Sequence, residues 1–179
     1  MTASGSDTIF SKPRYCTVAS PQPARRRLVV AQDAACAVPL LDHPLSQLLS
    51  LGGELAADLP HERFANPAAL YLRLQLLLER AEVGTRLYVV GDEAFLWHVY
   101  RLARHAGLLS DEIELFKNGA RRRLYCVHCG TFQEIGEEGE AGCSGCGVHL
   151  LVREHFSQRL GAYMGVCLDP SRPYGEGRP

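Results

Sequence analysis

Apolar positions along this chain fall into short runs and two longer helical stripes. After Arg25–Arg27 the run LVVA, Leu28 to Ala31, reads as a short buried strand. The stretch from there to Pro60 is broken by Pro39, Pro44, Gly52 and Gly53, and predicts loops with one or two helical turns over Pro44 to Ser50. Asn66 then offers an N-cap with Pro67 at the first helical position. The helix that follows, ALYLRLQLLLERAE, should stop at Gly84. RLYVVG predicts a strand from about Arg86 to Val90, and Gly91 opens the turn into a second helix, EAFLWHVYRLARHAG, closed by Gly107. IELF, Ile113 to Phe116, is a further strand. Strand, helix, strand, helix, strand at this spacing predicts an α/β domain with a small parallel sheet over residues 25–120.

On either side of that domain the pattern changes. Residues 1–24 are rich in Ser, Pro and Ala, with a short strand expected around Ile9 to Val18, and read as a mobile or partner-bound arm. Residues 121–156 alternate short β-prone runs with glycine-rich turns, as a small β module does. In residues 157–179, QRLGAYMGV predicts a short helix followed by a Pro/Gly-rich tail. Phe156, Leu160, Tyr163 and Met164 follow the i, i+4, i+7, i+8 spacing of one helical face. Either the chain's own core or a partner subunit is expected to cover that face.

Composition narrows the functional classes. With 179 residues, 46% hydrophobic, 22% charged and a net charge of −1, the chain can build a core and has no electrostatic footprint for nucleic acid or anionic membrane. The start, MTASGSDTIFSKPRY, lacks the pattern of a secretory signal, and no run approaches the roughly 18 apolar residues of a membrane span. A cytoplasmic location is expected. The seven cysteines are an odd count, and four of them form two C-x-x-C pairs, which in a reducing compartment favours metal over disulfides.

Those pairs are Cys126-Val127-His128-Cys129-Gly130 and Cys143-Ser144-Gly145-Cys146-Gly147, separated by twelve residues. Two intervening residues let one tight turn present two thiolates to one ion, and the glycine after each pair tolerates the positive φ of such a turn. Two turns supply the four thiolates of a closed structural site, so Cys126, Cys129, Cys143 and Cys146 are the expected ligands. Zinc is the favoured metal. A rubredoxin-like iron is the alternative, although rubredoxins usually carry proline where Ser144 stands. No catalytic or cofactor-binding residues are assigned. There is no G-x-G-x-x-G after the first strand, no Walker loop, no G-x-S-x-G and no H-E-x-x-H. His128 reads as a turn residue, and Cys16, Cys36 and Cys167 as isolated thiols.

Two resemblances remain. The unit from Leu87 through Val90-Gly91-Asp92 to Phe116 resembles the last βαβ unit of ferredoxin-reductase nucleotide domains, with Asp92 and Glu93 at a helix start where they complement its dipole. The combination of YVVGDEAFLWHVYRLARHAGL, RRRLYCVHC and CSGCGVHLLVREHFSQRLGAYMGV resembles the small DmmA-type subunits of bacterial dimethylamine monooxygenase. That resemblance implies a subunit of a multicomponent oxygenase that demethylates a secondary amine with NAD(P)H and O2. Other subunits would carry the haem and the flavin and iron–sulfur reductase. This chain would then be an accessory, metal-binding subunit. The alternatives are a rubredoxin-like electron carrier or an unrelated zinc-ribbon adaptor.

Overall fold

A computed structural model describes residues 12–55 and 60–174. The chain divides into two compact units, one over residues 14–122 and the other over residues 123–174 together with Lys12 and Pro13.

The first unit is built on a five-stranded, all-parallel sheet. Its strands are β1 (Arg26–Asp33), β2 (Ser46–Gly52), β3 (His61–Arg63), β4 (Thr85–Gly91) and β5 (Ile113–Lys117), in the order β3-β2-β1-β4-β5. This order is the one found in dinucleotide-binding α/β folds, with the topological switch between β1 and β4. Strands buried on both faces need continuous apolar runs, and Leu28–Ala31 and Leu87–Val90 are all buried. One face of the sheet, with Val29, Ala31, Leu48, Tyr88 and Val90, is covered by a 3-10 stretch, Ala34–Leu40.

Helix α1 (Pro67–Leu78) starts as expected, with the Asn66 side chain accepting from Ala69 N at 2.9 Å. It buries Leu70, Leu74 and Leu78, and Arg73 grips Glu62 of β3 through two bonds of 2.8 Å. The helix ends at Leu78, well before Gly84. Helix α2 (Glu93–His105) is capped by Asp92, whose Oδ1 accepts from Phe95 N at 2.9 Å. Phe95, Leu96 and Trp97 are buried on it.

Three expectations are corrected. The stretch Pro44–Ser50 is not helical, because Ser46–Gly52 forms β2. Its seven residues pair with β1 along their length, and the half-polar sequence SQLLSLG hides a strand whose Ser50 is buried by bonding to His61 Nε2 at 2.7 Å. The arm is not free over its described part. Cys16 N donates to Leu115 O at 2.7 Å, Trp97 Nε1 donates to Tyr15 Oη at 3.0 Å, and Ser20 N donates to Glu114 Oε2 at 2.8 Å. Residues 14–24 therefore belong with the α/β unit. No strand forms at residues 12–18, and Ile9 to Ser11 lie outside the described residues.

The third correction concerns residues 157–167, which hold no helix. The second unit is a five-stranded sheet of β6 (Arg122–Cys126), β7 (Phe132–Ile135), β8 (Glu140–Gly142), β9 (His149–Ser157) and β10 (Ala162–Cys167), in the order β7-β6-β10-β9-β8. Strand β10 is its centre, parallel to β6 and antiparallel to β9. A single turn joins β9 to β10: Gly161 N donates to Ser157 O at 2.7 Å and Gly161 takes φ +61°. Phe156 and Tyr163 face each other across the hairpin, ring centroids 5.0 Å apart and edge-on, and both are buried. Gly165 lies close to Leu124 and Leu150, so a Cβ there would meet Leu150 Cδ1 at 2.9 Å. Two glycines in six residues and a glycine-dependent contact disfavour the helix that the apolar spacing suggested.

Candidate metal centre

The two C-x-x-C-G segments fold into turns with the same hydrogen bonds. Gly130 and Gly147 have φ of +78° and +73°, and each donates its N–H to the carbonyl of the first cysteine, Cys126 or Cys143, at 2.9 Å. Cys126 N donates to Thr131 O and Cys143 N to Val148 O, again at 2.9 Å. Each turn thus points its two sulfurs and several amides at one point. The N–H groups of His128 and Cys129 bond the Cys126 sulfur, that of Thr131 bonds Cys129, and that of Val148 bonds Cys146.

All four Sγ atoms lie within 4.8 Å of one another, with Cys129–Cys143 at 3.6 Å and Cys126–Cys146 at 3.9 Å. A tetrahedron with metal–sulfur bonds of about 2.3 Å has sulfur–sulfur edges of about 3.8 Å. A disulfide needs about 2.05 Å, and all four thiols are free. The residues present therefore fit a four-coordinate ion. Cys126 and Cys143 are buried, Cys146 is half-buried and Cys129 is exposed. Burial pushes the Cys126 thiol up to about 12, whereas the Thr131 hydroxyl, 3.2 Å from Cys129 Sγ, pulls that thiol down to about 6. A bound cation overrides the first effect, because its own charge is the largest in the site and ligating thiols deprotonate.

Three contributors escaped the sequence reading. A Cβ on Gly145 would stand 2.3 Å from Thr131 Oγ1, so only glycine lets the second turn close on the first. Gln133 of β7 clamps the second turn from both sides, its Oε1 accepting from Ser144 N and its Nε2 donating to Gly142 O, each at 2.8 Å. Gly145, between the two cysteines of a knuckle, was the available signal; Thr131 and Gln133 offered none. His128 is exposed and outside the four-sulfur cluster.

The α/β unit places its own polar cluster at the C-terminal edge of the parallel sheet, at the switch between β1 and β4. Gln32, at the end of β1, lies over Gly91, where a Cβ would meet Gln32 Oε1 at 2.4 Å. The same oxygen accepts from Asp92 N at 2.6 Å, and Gln32 Nε2 donates to Asp92 Oδ2 at 2.9 Å. Arg121 Nε donates to that carboxylate oxygen at 2.8 Å, and Lys117 pairs with buried Glu93 at 3.3 Å. Asn118 N donates to Gly91 O at 2.7 Å. The acidic pair at the start of α2 is thus held by the chain's own donors. Among the described residues no helix is long and apolar enough to cross a membrane.

Comparison with known proteins agrees with this two-part layout. Residues 123–166 match the C-terminal domain model of the dimethylamine monooxygenase subunit DmmA-like family, and residues 54–113 match its N-terminal domain model. The delta subunit of a heme-dependent oxidative N-demethylase from Ectopseudomonas mendocina (strain ymp) is 41% identical over 175 residues, which cover 97% of each chain. Among solved structures, phthalate dioxygenase reductase, a modular structure for electron transfer from pyridine nucleotides to [2Fe-2S], aligns with 67% of this chain and 46% of its own length. That alignment has 14% identity and a TM-score of 0.45. Both domain models lie in order on one chain, and the four cysteines fall inside the second. On that match and on the near full-length likeness to the delta subunit, the chain belongs to the dimethylamine monooxygenase subunit DmmA-like family.

Proposed function

We propose that this protein is an accessory subunit of a multicomponent, haem-dependent oxidative N-demethylase acting on dimethylamine. Its four-cysteine centre holds zinc as a structural ion, and its partners are the haem-bearing subunit and a flavin and iron–sulfur reductase. The observation that carries the reading is the closed four-thiolate set. Four protein ligands leave no open position, so the ion supplies folding energy and no substrate chemistry. The likeness to the delta subunit over nearly the whole chain supports the assembly. Purification with its native partners should give a complex containing haem in another subunit and one zinc per copy of this chain. A preparation with no stoichiometric metal, or a chain that never assembles with a haem protein, sinks the proposal.

A second reading places iron in the same site and makes the chain an electron carrier; the exposure of Cys129 favours it, since electrons need an exposed edge. Visible absorption from thiolate-bound ferric iron would select it over zinc.

The α/β unit, on this proposal, takes no nicotinamide nucleotide. A cofactor at the switch point would have to displace Gln32 and meet the Asp92 carboxylate. Calorimetry of the isolated subunit with NADH and with NADPH is expected to show no binding in the micromolar range. Micromolar affinity for either would overturn the assignment.

A further inference from the structure

The two cysteine turns repeat each other in backbone and differ in what stands behind them. Thr131 and Val148 occupy matching positions, each two residues past the second cysteine of its pair. Their carbonyls accept from Cys126 N and Cys143 N, both at 2.9 Å. Their N–H groups bond the sulfurs of Cys129 and Cys146 in turn. The side chains break the repeat. Val148 is fully buried and carries no side-chain donor, whereas the Thr131 hydroxyl lies 3.2 Å from Cys129 Sγ. A thiolate has no hydrogen, so in a loaded site the hydroxyl is the donor.

Thr131 also reaches the other turn. A Cβ built on Gly145 would stand 2.3 Å from Thr131 Oγ1 and 3.1 Å from its Cβ, so the threonine touches both the Cys129 sulfur and the tip of the second turn. Two residues on, Gln133 brackets Cys143: its Nε2 donates to Gly142 O and its Oε1 accepts from Ser144 N, each at 2.8 Å. One short stretch at the head of β7 therefore holds Cys129 on one turn and Cys143 on the other. Their sulfurs, 3.6 Å apart, form an edge across which the two turns face each other. Among the described residues, no side chain other than cysteine bonds the sulfur of Cys126 or Cys146.

We infer that Thr131 and Gln133 are the positioning residues of this metal site, with two separable effects. Gln133 holds the second turn in its ligating shape and so sets how tightly an ion is bound. The Thr131 hydroxyl donates to one thiolate of the four, so Cys129 gives less electron density to the ion than its three counterparts. Neither residue is a ligand. Groups that orient metal ligands from behind change affinity by about 10–100-fold when they are removed. The inference rests on the metal reading proposed above.

The test uses the full-length chain loaded with zinc, and with cobalt(II) as a coloured ion for the same four-thiolate set. Gln133→Met keeps the length of the side chain and removes both bonds. Chelator competition should give it an affinity about 10–100-fold below that of the unaltered chain. Its stoichiometry of one ion and its cobalt spectrum should not change, because the four thiolates are untouched. Thr131→Val keeps the shape and removes the hydroxyl. Its sulfur-to-cobalt charge-transfer band should move to lower energy, since a hydrogen bond to sulfur holds the sulfur lone pair down. Thr131→Ser keeps the hydroxyl and should leave the band in place, a contrast that a packing role for Thr131 would not produce. Excess metal keeps each variant folded by mass action, so a loss of affinity is not mistaken for an unfolded chain. An unaltered chain that binds no metal overturns the metal reading and this inference with it. With one ion bound, an undiminished affinity in Gln133→Met, or an unmoved band in Thr131→Val, overturns this inference alone.

Discussion

Cys146→Ser is expected to abolish stoichiometric metal binding and unfold the second unit, while the helical signal of α1 and α2 persists. The unit's buried apolar side chains are few, chiefly Leu124, Val148, Leu150, Phe156, Ala162 and Tyr163. A core in a module of this size rarely supplies more than about 3–5 kcal/mol, whereas a structural zinc site contributes roughly 10–16 kcal/mol. Serine is a poor ligand for a soft thiolate site, and the three thiols that remain make an incomplete set for a four-coordinate ion. Elemental analysis and amide resonances of residues 123–167 report the outcome. Normal dispersion in that region with one metal still bound would show that the fourth thiolate is dispensable.

Truncation after His155 should have an equally large effect, for a different reason. The deletion removes β10, the strand that joins β6 to β9, and with it the Phe156–Tyr163 pair and the Val127 N–H bond to Gly165 O at 3.0 Å. Cys126 ends β6 and would lose the strand that holds it in register. Metal content near zero and loss of the ribbon's strand signal are expected. A helix beside the ribbon could be removed at no cost to the cysteine cluster; a central strand cannot. A truncated chain that keeps one metal and its strands would refute the pairing.

What was legible in the sequence was local. The clustering of the four cysteines could be read directly because C-x-x-C-G encodes both sulfurs and the glycine that lets the turn close. The units β4–α2–β5 and α1 could be read because Asn66-Pro67, Gly91 and Gly107 punctuate strong apolar runs. The failures share a non-local cause. Ser46–Gly52 becomes a strand only because β1 and β3 pair with it on its two sides, and Ser50 is satisfied by His61 from β3. The hairpin of β9 and β10 imitates a helical stripe because Phe156 and Tyr163, seven residues apart, meet across a turn as easily as along a helix face. At the metal centre Gln133 and Thr131 lie between the cysteine pairs with no motif to mark them, and only the folded turns show what they hold. The closure of the switch point by Gln32 was equally hidden, since a glutamine after an apolar run has no distinctive spacing.

The mixed pairing of β10 bears on how quickly this module is made. Leu124 pairs with Tyr163 in a parallel ladder, and parallel strands cannot meet through a tight turn, so the chain between them must be closed first. Contacts this distant in sequence slow folding, because loop-closure entropy is lost before the contacts form. An ion captured early by the two cysteine turns would bridge the part of that interval between Cys126 and Cys146 and shorten the loop left to close. On the proposed function, the ion would then speed folding as well as clamp the module. Its supply during synthesis would set how long the unpaired edges of β6 and β9 stay open to aggregation.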